Sequence, residues 1–294
     1  MWSYVDDKLK EYLKKQQTSN KELEYRIQNV FNMGFEFPFL FNYASNDILK
    51  QFKTRIRLFK ENYSKNDYVS YMVNKYANRT RVKNNEVLRI LLLMEYAEVY
   101  QKNNEAQIAM FDEIAQGITK STVAEVEGLA KSRKRRKFRR HPFVYEHIFL
   151  LHFLAMPNNL GLTWDEHVAS VVDYYSEQAY KQAVIDLREG KLKVDTKLIE
   201  SQSKKELNYR PASKNVFSGQ IDNEVAFVVN EMKRQIFEYY GITKVRIKGI
   251  LDERTCEICE QYIGKIYNLD DVVIGEQIGS HINCRCILEP WGFD

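Results

Sequence analysis

The first 255 residues of this 294-residue chain contain no cysteine, and all 4 cysteines lie within the last 39. A disulfide framework is therefore excluded for most of the chain. Glycine and proline are also scarce, with 12 and 5 residues, against average usage of about 7% and 5%. Because these two residue types are the strongest helix breakers, their scarcity favours long helices and argues against a loop-rich fold.

Long apolar runs are missing as well. The longest apolar stretch, residues 143–156, is interrupted by Glu146, His147 and His152, and a bilayer span needs about 20 apolar residues. The first seven residues have neither a basic nor an apolar segment, so we expect no secretory signal. We therefore expect no contact with a membrane. We also expect the protein to assemble in a reducing cytoplasm, where clustered cysteines are metal ligands more often than disulfides.

The periodicity of apolar residues predicts a helical body followed by a small β-containing tail. Apolar stripes at helical spacing predict helices over 84–100, 105–130, 143–156, 163–189 and 222–240. Asparagine-rich breaks are expected near 62–66, 78–85 and 103–104, and an extended arm or loop over 191–220. Alternation over 244–250, with shorter candidates at 265–267 and 286–288, predicts strands.

These elements predict an α+β fold, a mostly α-helical body with a small C-terminal zinc-stapled α/β module. Four parts are predicted along the chain: an N-terminal helical region, a basic segment, a helical region that ends in the arm, and the metal-binding module. Their ranges are 1–130, 131–141, 142–221 and 222–294.

Four cysteines and one histidine in the tail have the spacing of metal ligands. Cys256 and Cys259 form a C-x-x-C pair, and a tight turn there aims both sulfur atoms at one zinc ion about 2.3 Å away. The second half-site must come from Cys284, Cys286 and His281. Because so small a module buries little apolar area, a metal contributing roughly 10 kcal/mol would decide whether it folds. We predict one structural zinc ion bound by four of these five residues, with the fourth position open between Cys286 and His281.

Two other interpretations of these cysteines stay open at this point. They could be four unrelated reduced thiols, because the spacing is specific without being exclusive. Alternatively, Cys284 could be a nucleophile with His281 as its base, although the sequence offers no third group to orient the histidine. A metal-dependent hydrolase is a variant of the second idea, and its zinc would keep one open coordination position.

A single basic segment carries more than the whole net charge of the chain. Residues 131–140 contain eight cations and no acidic residue, and without these cations the net charge of +4 becomes −4. Such a segment binds a nucleic-acid backbone without sequence preference and with strong salt dependence. Alternatively, the segment contacts an acidic patch on another protein, or it is a loop that contacts only solvent. The candidate DNA-binding residues are Lys131, Arg133, Lys134, Arg135, Arg136, Lys137, Arg139 and Arg140.

The residues around the cysteines resemble a known family more than the cysteines alone do. The order Asp252-x-Arg254-Thr255-Cys256-x-x-Cys259, then a glycine-centred strand at Gly264, then a closing His-x-Asn-Cys-Arg-Cys at 281–286, resembles the head morphogenesis domain of tailed bacteriophages. That family groups proteins similar to the F protein of phage Mu. The resemblance covers roughly residues 222–290.

The resemblance implies a minor capsid protein, a structural component of the virion and not an enzyme. It implies assembly of the head in the bacterial cytoplasm, multiple copies per particle, and association with the portal protein or the major capsid protein. The packaged double-stranded DNA is a further expected partner, during packaging or ejection. A zinc-containing nucleic-acid-binding protein is the alternative function.

Three charged residues flank the candidate ligands. Asp252 and Arg254 precede the first cysteine pair, and Arg285 stands between two candidate ligands. They could pair with each other, or the two arginines could donate hydrogen bonds to the thiolates and so orient the ligands. Ordinary surface charge is the equally plain interpretation.

Overall fold

The computed structural model describes residues 2–63, 65, 67–133, 141–157, 161–191, 215–252, 255–279 and 284–293. Of these described residues 69% are helical, and a small three-stranded antiparallel sheet lies near the C-terminus, as the sequence predicted. The helices are α1 Trp2–Phe31, α2 Asn46–Asn62, α3 Tyr68–Ala77, α4 Asn84–Ser132, α5 His147–Ala155, α6 Trp164–Arg188, α7 Asn215–Tyr240 and α8 Glu257–Tyr262. The strands are β1 Lys244–Lys248, β2 Ile266–Asn268 and β3 Ile287–Gly292.

The chain divides into two compact units, each built from separate segments. One unit comprises Lys14–Glu105 and Glu166–Ser213, and we call it the helical unit. The other comprises Met1–Leu13, Ala106–Asp165 and Lys214–Asp294, and we call it the C-terminal unit. The four-part division along the sequence stays a prediction.

The helical unit has an ion-pair network among its packed helices. Glu95 and Glu98 of α4 are buried, and both accept hydrogen bonds from Arg26 of α1 and Arg55 of α2. Burying carboxylates is costly unless each is paired. Because both arginines reach both carboxylates, the network fixes the relative positions of α1, α2 and the first half of α4.

The C-terminal unit packs its sheet against α7. The central strand β1 buries Val245 and Ile247, and β3 buries Leu288 beside them. A glycine with φ of +70°, Gly241, ends α7, and the Ile242 amide donates to the Phe237 carbonyl across this turn. That left-handed turn reverses the chain and delivers β1 onto the helix it has just left.

Three sequence-based predictions about helix boundaries are wrong. The break near 103–104 does not occur, because α4 runs unbroken from Asn84 to Ser132. Asn103 and Asn104 are buried, and Ser19 of α1 donates to the Asn103 side chain, so packing outweighs the weak helix propensity of asparagine, which is roughly 0.7 kcal/mol.

The second error concerns α7 and its surroundings. This helix begins at Asn215, not at Asp222, because Ile221 is fully buried and extends the apolar stripe by one turn. Residues 215–220, predicted as part of an arm, are therefore helical, while 192–214 lie outside the described residues. Helix α5 is shorter than predicted, since the chain is still extended at Glu146.

The end of α6 and the places of the strands agree more closely with the prediction. α6 ends before Gly190, and each strand overlaps its predicted segment, although β1 ends at Lys248 and β3 continues to Gly292. Among the described residues, every helix is too short or too polar to cross a membrane.

Candidate metal centre

Three buried sulfur atoms meet beside the sheet of the C-terminal unit. The Sγ atoms of Cys259, Cys284 and Cys286 lie within 4.8 Å of one another, and those of Cys259 and Cys284 are 3.8 Å apart. Two sulfur atoms bound tetrahedrally to one zinc ion, each about 2.3 Å from it, lie about 3.8 Å from each other. The spacing and the chemistry of this donor set therefore fit three positions of a metal site.

The first cysteine of the C-x-x-C pair begins a short helix. Cys256 is the N-cap of α8, and its sulfur accepts a hydrogen bond of 3.3 Å from the Cys259 amide. It is half-buried and does not belong to the group of three mutually close thiols. The two C-x-C cysteines, in contrast, both belong to that group, and they lie just before β3.

The environment of these thiols opposes ionisation. Burial, together with the nearby Cys284 sulfur, raises the pKa of the Cys259 thiol to about 12. A hydrogen bond with the Cys284 thiol, together with burial, also raises the pKa of the Cys286 thiol far above its usual value. Packed thiols of this kind stay protonated at neutral pH unless a cation stabilises the thiolates. Thiols held neutral in this way are a poor setting for a nucleophile, whereas the spacing of the three sulfur atoms suits a bound metal ion.

Two glycines lie beside the sulfur atoms, and each is suited to its position for a different reason. A Cβ atom on Gly249, just after β1, would lie 2.5 Å from Ile263 Cδ1 and 3.2 Å from Cys286 Sγ, so this position has no room for a larger residue. Gly279 has φ of +71°, a conformation that favours glycine, and its amide donates a 3.3 Å hydrogen bond to Cys284 Sγ.

An ion pair joins the two halves of the motif. The two terminal guanidinium nitrogens of Arg285 donate to the two carboxylate oxygens of Asp252, and the bond from Nη1 to Oδ2 is 2.8 Å long. Paired donors of this kind fix orientation as well as distance. Because Arg285 lies between two of the clustered cysteines, the pair ties the C-x-C segment to the loop that precedes the C-x-x-C pair.

The loop that carries Asp252 is closed by Thr255. Its hydroxyl donates to the Ile250 carbonyl over 2.7 Å and accepts from the Asp252 amide over 2.8 Å. A threonine here forms a local turn that a residue without a hydroxyl would leave open. This explains a role for Thr255 in the motif that spacing alone did not reveal.

A second residue that sequence reasoning missed is Asn230 of α7. It is fully buried, its amide donates to the Ala226 and Cys286 carbonyls, and its oxygen accepts from the Leu288 amide. The signal was an asparagine inside an otherwise apolar stripe. Asn230 therefore anchors the strand that follows Cys286 to the helix beneath it.

The remaining candidate residues divide between exposed positions and the undescribed part of the chain. Lys131 and Arg133 are exposed at the end of α4, and Arg133 donates to the Trp291 carbonyl of β3 over 3.1 Å. His281, Arg254 and residues 134–140 lie outside the described residues.

The Asn230 anchor leads to a stability prediction. Asn230→Leu leaves the Cys286 carbonyl and the Leu288 amide buried without this partner, at roughly 1–3 kcal/mol for each group. We expect the free energy of unfolding, measured by urea denaturation, to fall by about 3 kcal/mol. Gln235→Leu on the same helix is the matched control and should change it by less than about 0.5 kcal/mol. Equal values for the two variants would contradict the anchoring role.

Comparison with known protein families gives a match over the C-terminal region. Residues 196–289 match the family described as Phage Mu protein F like protein, a stretch that contains α7, β1, β2 and all four cysteines. No curated protein and no solved structure matches the chain. The resemblance found in the sequence motifs is thereby confirmed. The C-terminal region of this chain is thus similar to the phage Mu protein F like family, a family of structural phage head proteins.

Proposed function

We propose that this chain is a minor capsid protein of a bacteriophage, built into the head by its helical unit and stapled by zinc in its C-terminal unit. The observation that carries the proposal is the family match over 196–289, because it spans the same residues as the thiol cluster. The role is structural. Cys284 is buried among other thiols, which disfavours its use as a nucleophile.

Zinc is the proposed metal, held by Cys259, Cys284 and Cys286 with a fourth ligand from Cys256 or His281. Zinc accepts three or four thiolates in tetrahedral geometry and is the usual ion of structural C-x-x-C sites. When bound, it would supply the charge that lets several buried thiolates coexist. The fourth position matters less for this role than the three clustered sulfur atoms, since those three link α8 to the segment that leads into β3.

We expect about one zinc ion per chain, measured by elemental analysis of protein purified under reducing conditions without chelator. Cys259→Ser and Cys286→Ser should each remove nearly all of it and lower the melting temperature. Ile258→Ser is the control, because Ile258 is exposed on the same helix α8, and it should keep the metal. Of Cys256→Ser and His281→Ala, the variant that loses zinc identifies the fourth ligand. Metal-free wild-type protein with unchanged stability would contradict the zinc staple.

The proposed presence of this chain in the phage head can be tested directly in purified particles. Mass spectrometry of purified virions of a phage that encodes this chain should detect it at fewer copies than the major capsid protein. We propose the portal protein or the major capsid protein as its contact, and chemical cross-linking of intact heads would identify which. Absence of the chain from particles that contain all other head proteins would rule out the virion role.

Contact with packaged DNA is the third part of the proposal. What supports it is the charge of residues 131–140, together with the exposed positions of Lys131 and Arg133 at the start of that segment. The bond from Arg133 to the β3 backbone attaches this start to the C-terminal unit. Lys131 and Arg133 thus lie in the same compact unit as most of the stretch that matches the family.

Neutralising part of the basic segment should weaken DNA binding and its salt dependence. Replacing Arg135, Arg136 and Lys137 by Gln should lower the slope of log affinity against log salt by roughly 0.9 for each phosphate that the variant no longer neutralises. Fluorescence anisotropy with a labelled DNA duplex measures this slope. The control replaces Lys50, Lys53 and Lys60, which are exposed on α2, by Gln. An equal change of this slope in the two triple variants would mean that DNA binding depends only on the net charge of the protein and not on the basic segment.

A further inference from the structure

A loop of the helical unit holds three aromatic side chains out in solvent. Residues 37–43, which we call the aromatic loop, lie between α1 and α2. Phe39, Phe41 and Tyr43 alternate along it and are 54%, 57% and 54% exposed, while Leu40 between them is fully buried. Three half-exposed rings present roughly 300 Å² of largely apolar surface, which on a monomer commonly marks an interaction site.

The loop backbone is fixed, so the rings are not exposed because the segment is loosely held. The Asn85 amide donates to the Leu40 carbonyl over 2.8 Å, and the Asn84 side chain donates to the Phe39 carbonyl over 3.0 Å. The Ala44 amide donates to the Val82 carbonyl over 2.9 Å. These bonds tie the loop to the segment that begins α4, and they hold Phe39 and Phe41 away from the core.

Cations lie beside the rings. The Arg81 guanidinium is 4.2 Å from the centre of the Tyr43 ring, and Lys83, exposed, forms a β-bridge with Tyr43. A rigid group of Phe, Tyr and Arg is the composition of interface hot spots, where the rings fill apolar pockets and arginine meets acidic groups. The surface that complements it is an apolar pocket with carboxylates at its rim.

We propose that the aromatic loop docks the helical unit onto another protein of the phage head, in an apolar pocket rimmed by Asp or Glu side chains. This inference rests on the proposed function. A protein partner is favoured over the packaged duplex, because rings bind nucleic acid by stacking on unpaired bases, and duplex bases are already stacked. The side chains of Phe39 and Phe41 provide the contact area, and Arg81 and Lys83 set the orientation.

The test is incorporation into particles. A phage that lacks the gene for this chain is complemented with wild-type or variant protein, and the amount of chain per purified particle is measured by quantitative mass spectrometry. We expect the double variant Phe39→Ser/Phe41→Ser to be incorporated about ten-fold less than wild type, the size of effect of a hot spot. Arg81→Glu/Lys83→Glu should also reduce incorporation, because it reverses the charge that faces the acidic rim.

Two controls separate docking from folding. Tyr25→Ser/Tyr71→Ser removes rings that are 68% and 65% exposed on α1 and α3 of the same unit, and it should be incorporated like wild type. Phe39→Tyr/Phe41→Tyr keeps the rings and should restore incorporation. Each variant is first checked for zinc content and melting temperature. Where Phe39→Ser/Phe41→Ser destabilises the fold, the Arg81→Glu/Lys83→Glu variant, which leaves both rings in place, still tests docking.

The outcomes are distinguishable. Wild-type chain absent from particles overturns the proposed function itself. Wild type present with normal incorporation of the Phe39→Ser/Phe41→Ser variant overturns the docking role while the proposed function stands. Weaker binding of that variant to a single-stranded DNA probe, with normal incorporation, would assign the loop to nucleic acid and overturn a protein partner.

Discussion

The end of the C-terminal unit that follows β1 is organised around three sulfur atoms that share one small buried space. Cys259 comes from a helix, and Cys284 and Cys286 come from the segment that leads into a strand, so their approach joins elements that are far apart in sequence. Burial alone keeps such thiols protonated, and their mutual repulsion as thiolates prevents them from ionising together. A bound cation reverses both effects, which is why we interpret the cluster as a staple.

The surrounding residues make sense as consequences of that constraint. Asn230 holds the Cys286 backbone on α7, and the Arg285–Asp252 pair holds the loop before the C-x-x-C pair. Gly249 leaves room for the Cys286 sulfur. Each of these residues limits how far the cluster can move. All of these residues lie within the stretch that matches a family of structural head proteins.

The sequence was sufficient where a pattern has one physical meaning. Alternation over 244–250 predicted β1, which spans Lys244–Lys248, and Gly190 and Gly241 predicted two helix ends. It failed where packing decides. Asn103 and Asn104 looked like a break, yet burial keeps α4 continuous. The spacing of the cysteines predicted the region in which the cluster lies. The role of Asn230 was not predicted, because its three hydrogen bonds go to backbone groups, two of which only the fold brings close. The exposure of Phe39 and Phe41 could not be predicted either, because it too depends on which groups the fold brings close to them.

The most direct test of the zinc staple is X-ray absorption at the zinc edge on the full-length protein. A structural site made by these cysteines predicts a first coordination shell of three or four sulfur atoms about 2.3 Å from the ion. A shell dominated by oxygen or nitrogen, or no zinc signal from natively purified protein, would contradict it.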